Sequence, residues 1–224
     1  MVKSLSSIMT RNSGWAYNNI ILLISIVLLI STSFLIHSDP LGKIITSLFF
    51  AMILLSASYS IKKGRTRLFY FAIGVIVLRE GSIFLIHNEY LDSLATLTNV
   101  LFFLIIVIQL IHQVARSKIV SRDVILESIN GYLLMGLSGS ILVALVDRIQ
   151  EHAFSFSNPQ VHNFSESIYF GFITQTTIGF GDITPVSDLA RLLTITMGIS
   201  GQLYIAIIIA MLVGKYLSQQ NKNL

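Results

Sequence analysis

The chain has 224 residues, of which 54% are hydrophobic and 12% charged, and its mean hydropathy is +0.77. A soluble domain carries about 25% charged residues, so this composition excludes a soluble globular protein and indicates a membrane protein. The chain contains no cysteine, which excludes disulfides and thiolate metal sites. The net charge of +4 does not indicate a nucleic-acid partner, because the basic residues lie between apolar stretches rather than on one stripe.

Six apolar stretches are long enough to cross a membrane, since a helix of about 20 residues spans the hydrocarbon core. A further apolar segment, 165–176, is too short to span and predicts a re-entrant helix, which membranes tolerate only beside protein or water. The predicted fold class is therefore an all-α membrane protein with six transmembrane helices and one re-entrant helix. The six predicted spans are residues 17–36, 42–61, 68–87, 92–114, 129–147 and 189–216.

The basic residues predict the orientation of the chain. Eleven of its 15 Lys and Arg residues lie in four places that six spans put on one side of the membrane, and the positive-inside rule makes that side the cytoplasm. Both termini are then cytoplasmic, and the loop between spans five and six faces outward. The eleven residues are Lys3, Arg11, Lys62, Lys63, Arg65, Arg67, Arg116, Lys118, Arg122, Lys215 and Lys222.

The first four spans, in residues 1–116, are predicted to form a four-helix domain. Within it, Arg79 and Glu80 are the only charges well inside a span. An ionisable residue inside a membrane indicates a function by default. A structural explanation is equally good, in which the two charges pair with neighbouring groups or reach toward the acidic outer face near Glu89.

Residues 117–129 combine mixed charges with an apolar face, which predicts an interfacial helix. This linker could transmit motion from the first four spans, or it could be a passive connector. Residues 130–218 follow as a second unit with an outer helix, the short helix 165–176, a loop 177–182 and an inner helix 189–216. The remaining residues, 219–224, are predicted to be a short cytoplasmic tail.

The most informative segment lies directly after the short helix and reads Thr-Thr-Ile-Gly-Phe-Gly-Asp over residues 176–182. Glycine reaches backbone angles that a β-carbon forbids. A Gly-x-Gly run can therefore turn successive carbonyl oxygens toward one axis. Four copies around that axis would stack rings of carbonyls that can replace the hydration shell of a potassium ion.

This segment resembles the selectivity filter of the tetrameric potassium-channel superfamily, whose usual form is T-x-G-[YF]-G-D. The resemblance extends over about residues 130 to 216, including the short pore helix and the continuation to Arg191. It implies a homotetramer, because one filter strand cannot close a pore. It also implies potassium ions as the permeant ligand, with no cofactor and no catalytic residues.

The resemblance assigns roles to the filter residues. Potassium ions would bind the backbone carbonyls of Thr177, Ile178, Gly179 and Phe180, and the Thr177 hydroxyl would form the lowest ring. The side chains of Ile178 and Phe180, with that of Thr176, are expected to point away from the axis and pack behind the filter.

Four residues are expected to support the filter: Thr176, Gly181, Asp182 at the outer mouth, and Tyr169, whose hydroxyl would reach Asp182. On the inner helix, Gly201 lies where this family often bends, which favours a gating hinge. Close helix packing through a small residue is the alternative explanation.

Six-span relatives often carry a voltage sensor with arginines at every third residue of span four. Span four of this chain contains no Lys or Arg, so the four-helix domain is predicted to resemble a voltage-sensor domain without gating charges.

Together these patterns predict a homotetrameric potassium channel in a bacterial inner membrane, with three further copies of the chain and the lipid bilayer as partners. Two alternatives stay open. One is a non-selective or sodium-passing cation channel with a relaxed filter, and the other is a non-conducting membrane sensor subunit that keeps the pore-loop fold.

Overall fold

The computed structural model describes residues 2–35, 40–62, 64–82, 88–156 and 164–220. These residues form seven α-helices and one two-stranded antiparallel pairing. The helices are α1 (Val2–Leu35), α2 (Pro40–Ser60), α3 (Arg65–Gly81), α4 (Glu89–Arg116), α5 (Arg122–Ile149), α6 (Phe164–Gln175) and α7 (Asp188–Gln220), and the strands are β1 (Phe154–Ser155) and β2 (Thr184–Pro185).

A helix coincides with each predicted span. Among the described residues, four helical stretches are both long and apolar enough to cross a membrane. Ile44–Ser60 of α2 is apolar but shorter, and α3 has 17 residues, with the predicted continuation of its span over 83–87 lying outside the described residues. The count of six spans therefore stays a prediction. The four stretches are Tyr17–Leu35, Tyr90–Arg116, Arg122–Ile149 and Asp188–Gln220.

The structure corrects the linker predicted as a separate interfacial helix over 117–129. The chain is not helical from Ser117 to Val120, and α5 begins at Arg122 and runs unbroken to Ile149. Part of the segment packs against protein, while Ile119, Ile125 and Ile129 are exposed, so its interfacial position stays a prediction. Glu127 within it is fully buried, and its carboxylate lies 2.9 Å from Lys62 Nζ at the end of α2.

The helix boundaries shift slightly within residues 130–218, which are predicted to form a pore domain and are named the pore half. The short helix α6 starts and ends one residue before the predicted 165–176. The inner helix α7 continues past the predicted 189–216 to Gln220, so the predicted tail 219–224 begins as helix. Residues 221–224 lie outside the described residues.

One apolar core joins the four-helix half to the pore half, and α5 packs against helices of both halves. This helix contacts α1 and α4 on one side and α6 and α7 on the other, all within the same chain. The central helix of the core is α4, which contributes fully buried aromatic and aliphatic side chains. Core residues include Leu22, Ile26, Ile53, Leu54, Phe102, Phe103, Ile106, Leu134, Leu137, Tyr204 and Ile208.

Candidate functional site: the loop after the short helix

The loop that follows α6 is fixed to that helix by its backbone N–H groups. A helix leaves its last four carbonyls without intrahelical donors, and here the N–H groups that follow the helix bond three of them, those of Phe172, Ile173 and Thr174. N–H and C=O of one trans peptide unit point in opposite directions, so the carbonyls of residues 175–178 point away from α6. The four bonds run from Thr176 to Phe172 (2.9 Å), Thr177 to Thr174 (3.0 Å), Ile178 to Ile173 (2.9 Å) and Gly179 to Ile173 (3.2 Å).

Alternate residues of the loop have positive φ: 61° at Thr177, 50° at Gly179 and 82° at Gly181. A β-carbon built on Gly179 or Gly181 would meet no atom within 4 Å. The need for glycine is therefore one of backbone conformation rather than space. Thr177 adopts the same region despite its branched side chain, which costs on the order of 1–3 kcal/mol. The sequence gives no sign of this strain, because threonine does not favour positive φ.

The side chains of Ile178 and Phe180 are not covered by their own chain. Ile178 is 57% exposed and Phe180 is 72% exposed in the single chain. Their packing behind the filter therefore stays a prediction. Thr176 does turn back toward α6, where its hydroxyl donates to the Phe172 carbonyl at 2.7 Å.

Tyr169 and Asp182 form the hydrogen bond expected from the sequence. The Tyr169 hydroxyl donates to Asp182 Oδ2 at 2.7 Å, and Asp182 Oδ1 accepts from the Ile183 N–H at 3.1 Å. The bond to Asp182 raises the pKa of Tyr169 above its ordinary value, so the phenol stays a donor through neutral pH. The contact connects the middle of α6 to the end of the loop.

The segment beyond the loop is tethered to the connection after α5. Strand β2 pairs with β1, and the N–H groups of Val186 and Ser187 both donate to the Ala153 carbonyl at 2.8 and 3.2 Å. Beneath this pairing, the Phe154 and Phe170 rings meet edge to face at 5.2 Å. The outer end of the loop is thereby held to both α5 and α6.

Gly201 allows α7 to approach the end of α6 closely. A β-carbon at Gly201 would lie 2.2 Å from the Gln175 carbonyl oxygen and 2.8 Å from Gln175 Cγ. Gln175 is itself buried, and its amide donates to the Tyr132 carbonyl of α5 at 2.9 Å. Helix α7 is continuous through this point. The geometry thus supports the packing explanation for Gly201.

Gln202, the next residue along α7, lies directly beneath the loop. Its Nε2 donates to Thr177 Oγ1 at 3.1 Å, and the Thr177 hydroxyl donates to the Thr176 carbonyl at 2.7 Å. The sequence patterns did not single out Gln202. The available signal was the one amide side chain between Asp188 and Lys215.

Arg79 and Glu80, the charges predicted to lie inside a span, pair with each other at 2.7 Å, far from the loop along the chain. The Arg79 guanidinium also lies 4.2 Å from the centroid of the Phe50 ring and 3.4 Å from Ser47 Oγ, both on α2. The pair thus sits between α3 and α2, within the four-helix half.

A second contact not foreseen from the sequence links the two halves at the ends of α4 and α7. Lys215 Nζ donates to the carbonyls of Val114 and Ala115 and to Ser117 Oγ, the latter two at 2.9 and 3.1 Å. These carbonyls belong to the last turn of α4, which carries partial negative charge. The lysine therefore caps α4 from the inner helix.

Comparison with known proteins finds similarity to ion channels in the second half of the chain. Residues 125–218 match a family model described as an ion channel. A 44-residue segment is 48% identical to the voltage-gated potassium channel Kch of Escherichia coli K12, covering 20% of this chain and 11% of that protein. A 38-residue segment is 47% identical to a hyperpolarization-activated voltage-gated potassium channel of Methanocaldococcus jannaschii, covering 17% and 18%.

No solved structure gives a significant match. The segments that match the two potassium channels cover less than a fifth of the length of either channel. Apolar helices and the family match together define a helical integral membrane protein. More particularly, its residues 125–218 form a segment similar to ion channels, and shorter parts of the chain are similar to potassium channels.

Proposed function

We propose that the chain forms a homotetrameric channel that conducts potassium passively and selectively across a membrane. The loop 177–182 is its selectivity filter, α6 its pore helix, and α5 and α7 its outer and inner helices. Potassium ions bind the carbonyls of Thr177, Ile178, Gly179 and Phe180 and the Thr177 hydroxyl. The similarity to potassium channels at partial coverage supports this assignment.

The observation that carries the proposal is the orientation of the loop backbone. The N–H groups of Ile178 and Gly179 are used by the end of α6, so the Thr177 and Ile178 carbonyls of the same peptide units face the opposite side. Positive φ at alternate residues continues this orientation along the loop. Backbone carbonyls in stacked rings are the ligands that replace the hydration shell of potassium.

Exposed apolar side chains support assembly into a tetramer. One filter strand cannot surround an ion, and the single chain leaves Ile178, Phe180 and much of α7 uncovered. Contiguous exposed apolar surface on this scale indicates a contact with protein or lipid. The exposed side chains of α7 are Leu189, Leu192, Ile195, Ile199, Leu203, Ile205, Ile207, Ile209, Val213, Tyr216 and Leu217.

Charge supports an orientation with both termini in the cytoplasm and the filter entrance outside. With that orientation, the C-terminal end of α6 points inward from the outer surface toward a central cavity. Its partial negative charge favours a cation there. A bacterial inner membrane is the proposed location.

The experiment that tests the proposal measures potassium and sodium flux into liposomes that contain the purified chain, with a Gly179→Ala variant beside it. Gly179 has a φ of 50° and open space around it, so alanine disturbs only the backbone conformation. We expect potassium flux to be lost while the tetramer still assembles. Gly74→Ala is the matched control, since α3 leaves equally open space at that position.

Three results would contradict the proposal in different ways. Selective potassium flux through Gly179→Ala would remove the filter assignment. Equal sodium and potassium flux through the unmodified chain would favour a non-selective cation channel. No flux of either ion from a correctly assembled tetramer would favour a non-conducting subunit.

A further inference from the structure

We infer that Gln202 is a positioning residue for the innermost cation site, where its side-chain amide orients the Thr177 hydroxyl toward the permeant ion. The inference rests on the proposed channel function and concerns the cavity-facing end of the filter. It is carried by the hydrogen bond between Gln202 and Thr177 and by the close approach of α7 to α6.

Two hydrogen bonds use most of the hydrogen-bonding capacity of the Thr177 hydroxyl. A threonine hydroxyl has one proton to donate and two lone pairs that accept. The proton goes to the Thr176 carbonyl at 2.7 Å, and one lone pair accepts from Gln202 Nε2 at 3.1 Å. One lone pair is left for a cation.

Without the amide of Gln202, the hydroxyl is free to rotate. Its proton could then turn toward the axis, where it would face the cation with the wrong sign. With the amide in place, one lone pair accepts from Gln202, which favours the rotamer that keeps the proton on the Thr176 carbonyl and leaves the other lone pair for the cation. Preorganised acceptors of this kind bind a cation without reorganisation cost.

Gly201 brings Gln202 within reach of the filter. The Gly201 backbone lies so close to the end of α6 that a β-carbon would sit 2.2 Å from the Gln175 carbonyl oxygen. Any larger residue would push α7 away from α6. Gly201 therefore sets a short distance between α6 and α7, and that distance lets the Gln202 amide reach the Thr177 hydroxyl.

The test is block by Ba²⁺ added to the cytoplasmic side of reconstituted channels, because this divalent cation has nearly the radius of K⁺ and probes the site nearest the cavity. Gln202→Leu keeps the size of the side chain but removes the donor. We expect the concentration of Ba²⁺ for half block to rise about tenfold, with potassium still preferred over sodium. Gln202→Met is the second variant should the leucine variant not assemble.

Two comparisons make the test specific. Gln220→Leu removes an exposed amide on the same helix, which donates only to Tyr216 at 3.3 Å among the contacts of the described residues, and should leave block unchanged. In a Thr177→Val background, which has no hydroxyl to orient, Gln202→Leu should have no further effect. In that background, Ba²⁺ binding is measured as the rise in melting temperature of the purified tetramer when Ba²⁺ is added. This readout needs no current.

Unchanged block in both Gln202 variants, with normal potassium current, would overturn this inference and leave the proposed function intact. An undiminished effect of Gln202→Leu without the Thr177 hydroxyl would also overturn it, because the amide would then act by another route. Absence of potassium current from the unmodified chain would instead contradict the proposed function.

Discussion

Arg79 and Glu80 are single residues whose role follows from the atoms they touch. Each charge costs about 2.5 to 3.5 kcal/mol at the centre of a spanning helix on the insertion scale. Here the two side chains neutralise one another at 2.7 Å, and Arg79 also packs on the Phe50 ring of α2. Pairing lowers the cost of burial and ties α3 to α2.

We predict that Arg79→Gln and Glu80→Gln each lower the free energy of unfolding by about 2 kcal/mol, because hydrogen bonds to charged groups are worth about that much. The double variant should cost less than the sum, since removing one partner leaves the other charge buried and unpaired. Thermal unfolding of the purified channel measures both effects.

Arg67→Gln is the matched control, because Arg67 is an exposed charge on the same helix. The potassium-to-sodium permeability ratio should stay unchanged in every one of these variants. A changed ratio at unchanged stability would place Arg79 or Glu80 in the ion path.

At the scale of elements, the contact between α6 and α7 decides between two explanations of Gly201. A packing role requires that a methyl group at this position displaces the inner helix from Gln175. Gly201→Ala should therefore lower the free energy of unfolding by about 1–3 kcal/mol, as overpacking does, and should reduce potassium current together with stability.

Gly214→Ala is the control on the same helix, since a β-carbon there meets nothing within 4 Å. It should be neutral or slightly stabilising, because alanine favours a helix by about 1 kcal/mol over glycine. A Gly201→Ala channel with full stability and an altered open probability would support a hinge instead.

The cap that Lys215 places on α4 is a second contact between elements. It joins the end of the inner helix to the end of the last helix of the four-helix half. Lys215→Met should leave those carbonyls without their cationic donor and lower the free energy of unfolding by about 1 kcal/mol. Movement of the inner helix would break the same contact, so we also expect the open probability to rise.

Lys118→Met is a suitable comparison, because Lys118 is exposed in the neighbouring connection between α4 and α5. Single-channel recording and thermal unfolding are the two measurements. Equal behaviour of the Lys215 and Lys118 variants would mean that the cap contributes nothing to the coupling of the two halves.

For the whole molecule, the four-helix half packs against the outer helix α5 of its own chain. The side-chain amide of Asn130 on α5 donates to the Asn19 carbonyl of α1 at 2.9 Å, and Arg148 pairs with Asp92 of α4. The connection between α4 and α5 is only residues 117–121, which holds the two halves close together. Any movement in the four-helix half would thus reach the pore half of the same chain directly.

The charges of the four-helix half predict that steep voltage dependence is absent. Moving one charge through 100 mV is worth about 2.3 kcal/mol, so steep gating needs several mobile charges per subunit. Helix α4 contains one Lys or Arg residue, which is Arg116 in its last turn. We predict a nearly constant open probability from about −100 to +100 mV.

Recording activation curves from purified protein in planar bilayers checks this prediction. A gating valence of several charges per subunit would mean that charges elsewhere in the four-helix half cross the membrane field. Varying pH and tension in the same recordings would then search for the stimulus that opens the channel.

Local patterns in the sequence were enough for the helices and for the loop. Each predicted apolar run of about 20 residues coincides with a helix, and the Gly-x-Gly spacing predicted the positive φ at Gly179 and Gly181. The separate linker helix was predicted incorrectly because amphipathic patterning does not show where one helix ends and the next begins. Only the folded chain shows that Glu127 is buried beside Lys62.

By itself, the sequence determined the membrane character of the chain, its approximate helices and the filter-like loop, since these depend on neighbouring residues. Only the tertiary structure decided that Gln202 reaches Thr177, that Gly201 meets Gln175 and that Lys215 caps α4. Such contacts join residues 25 to 100 positions apart. They depend on the angles and distances at which whole helices dock, and no local pattern of residues encodes those.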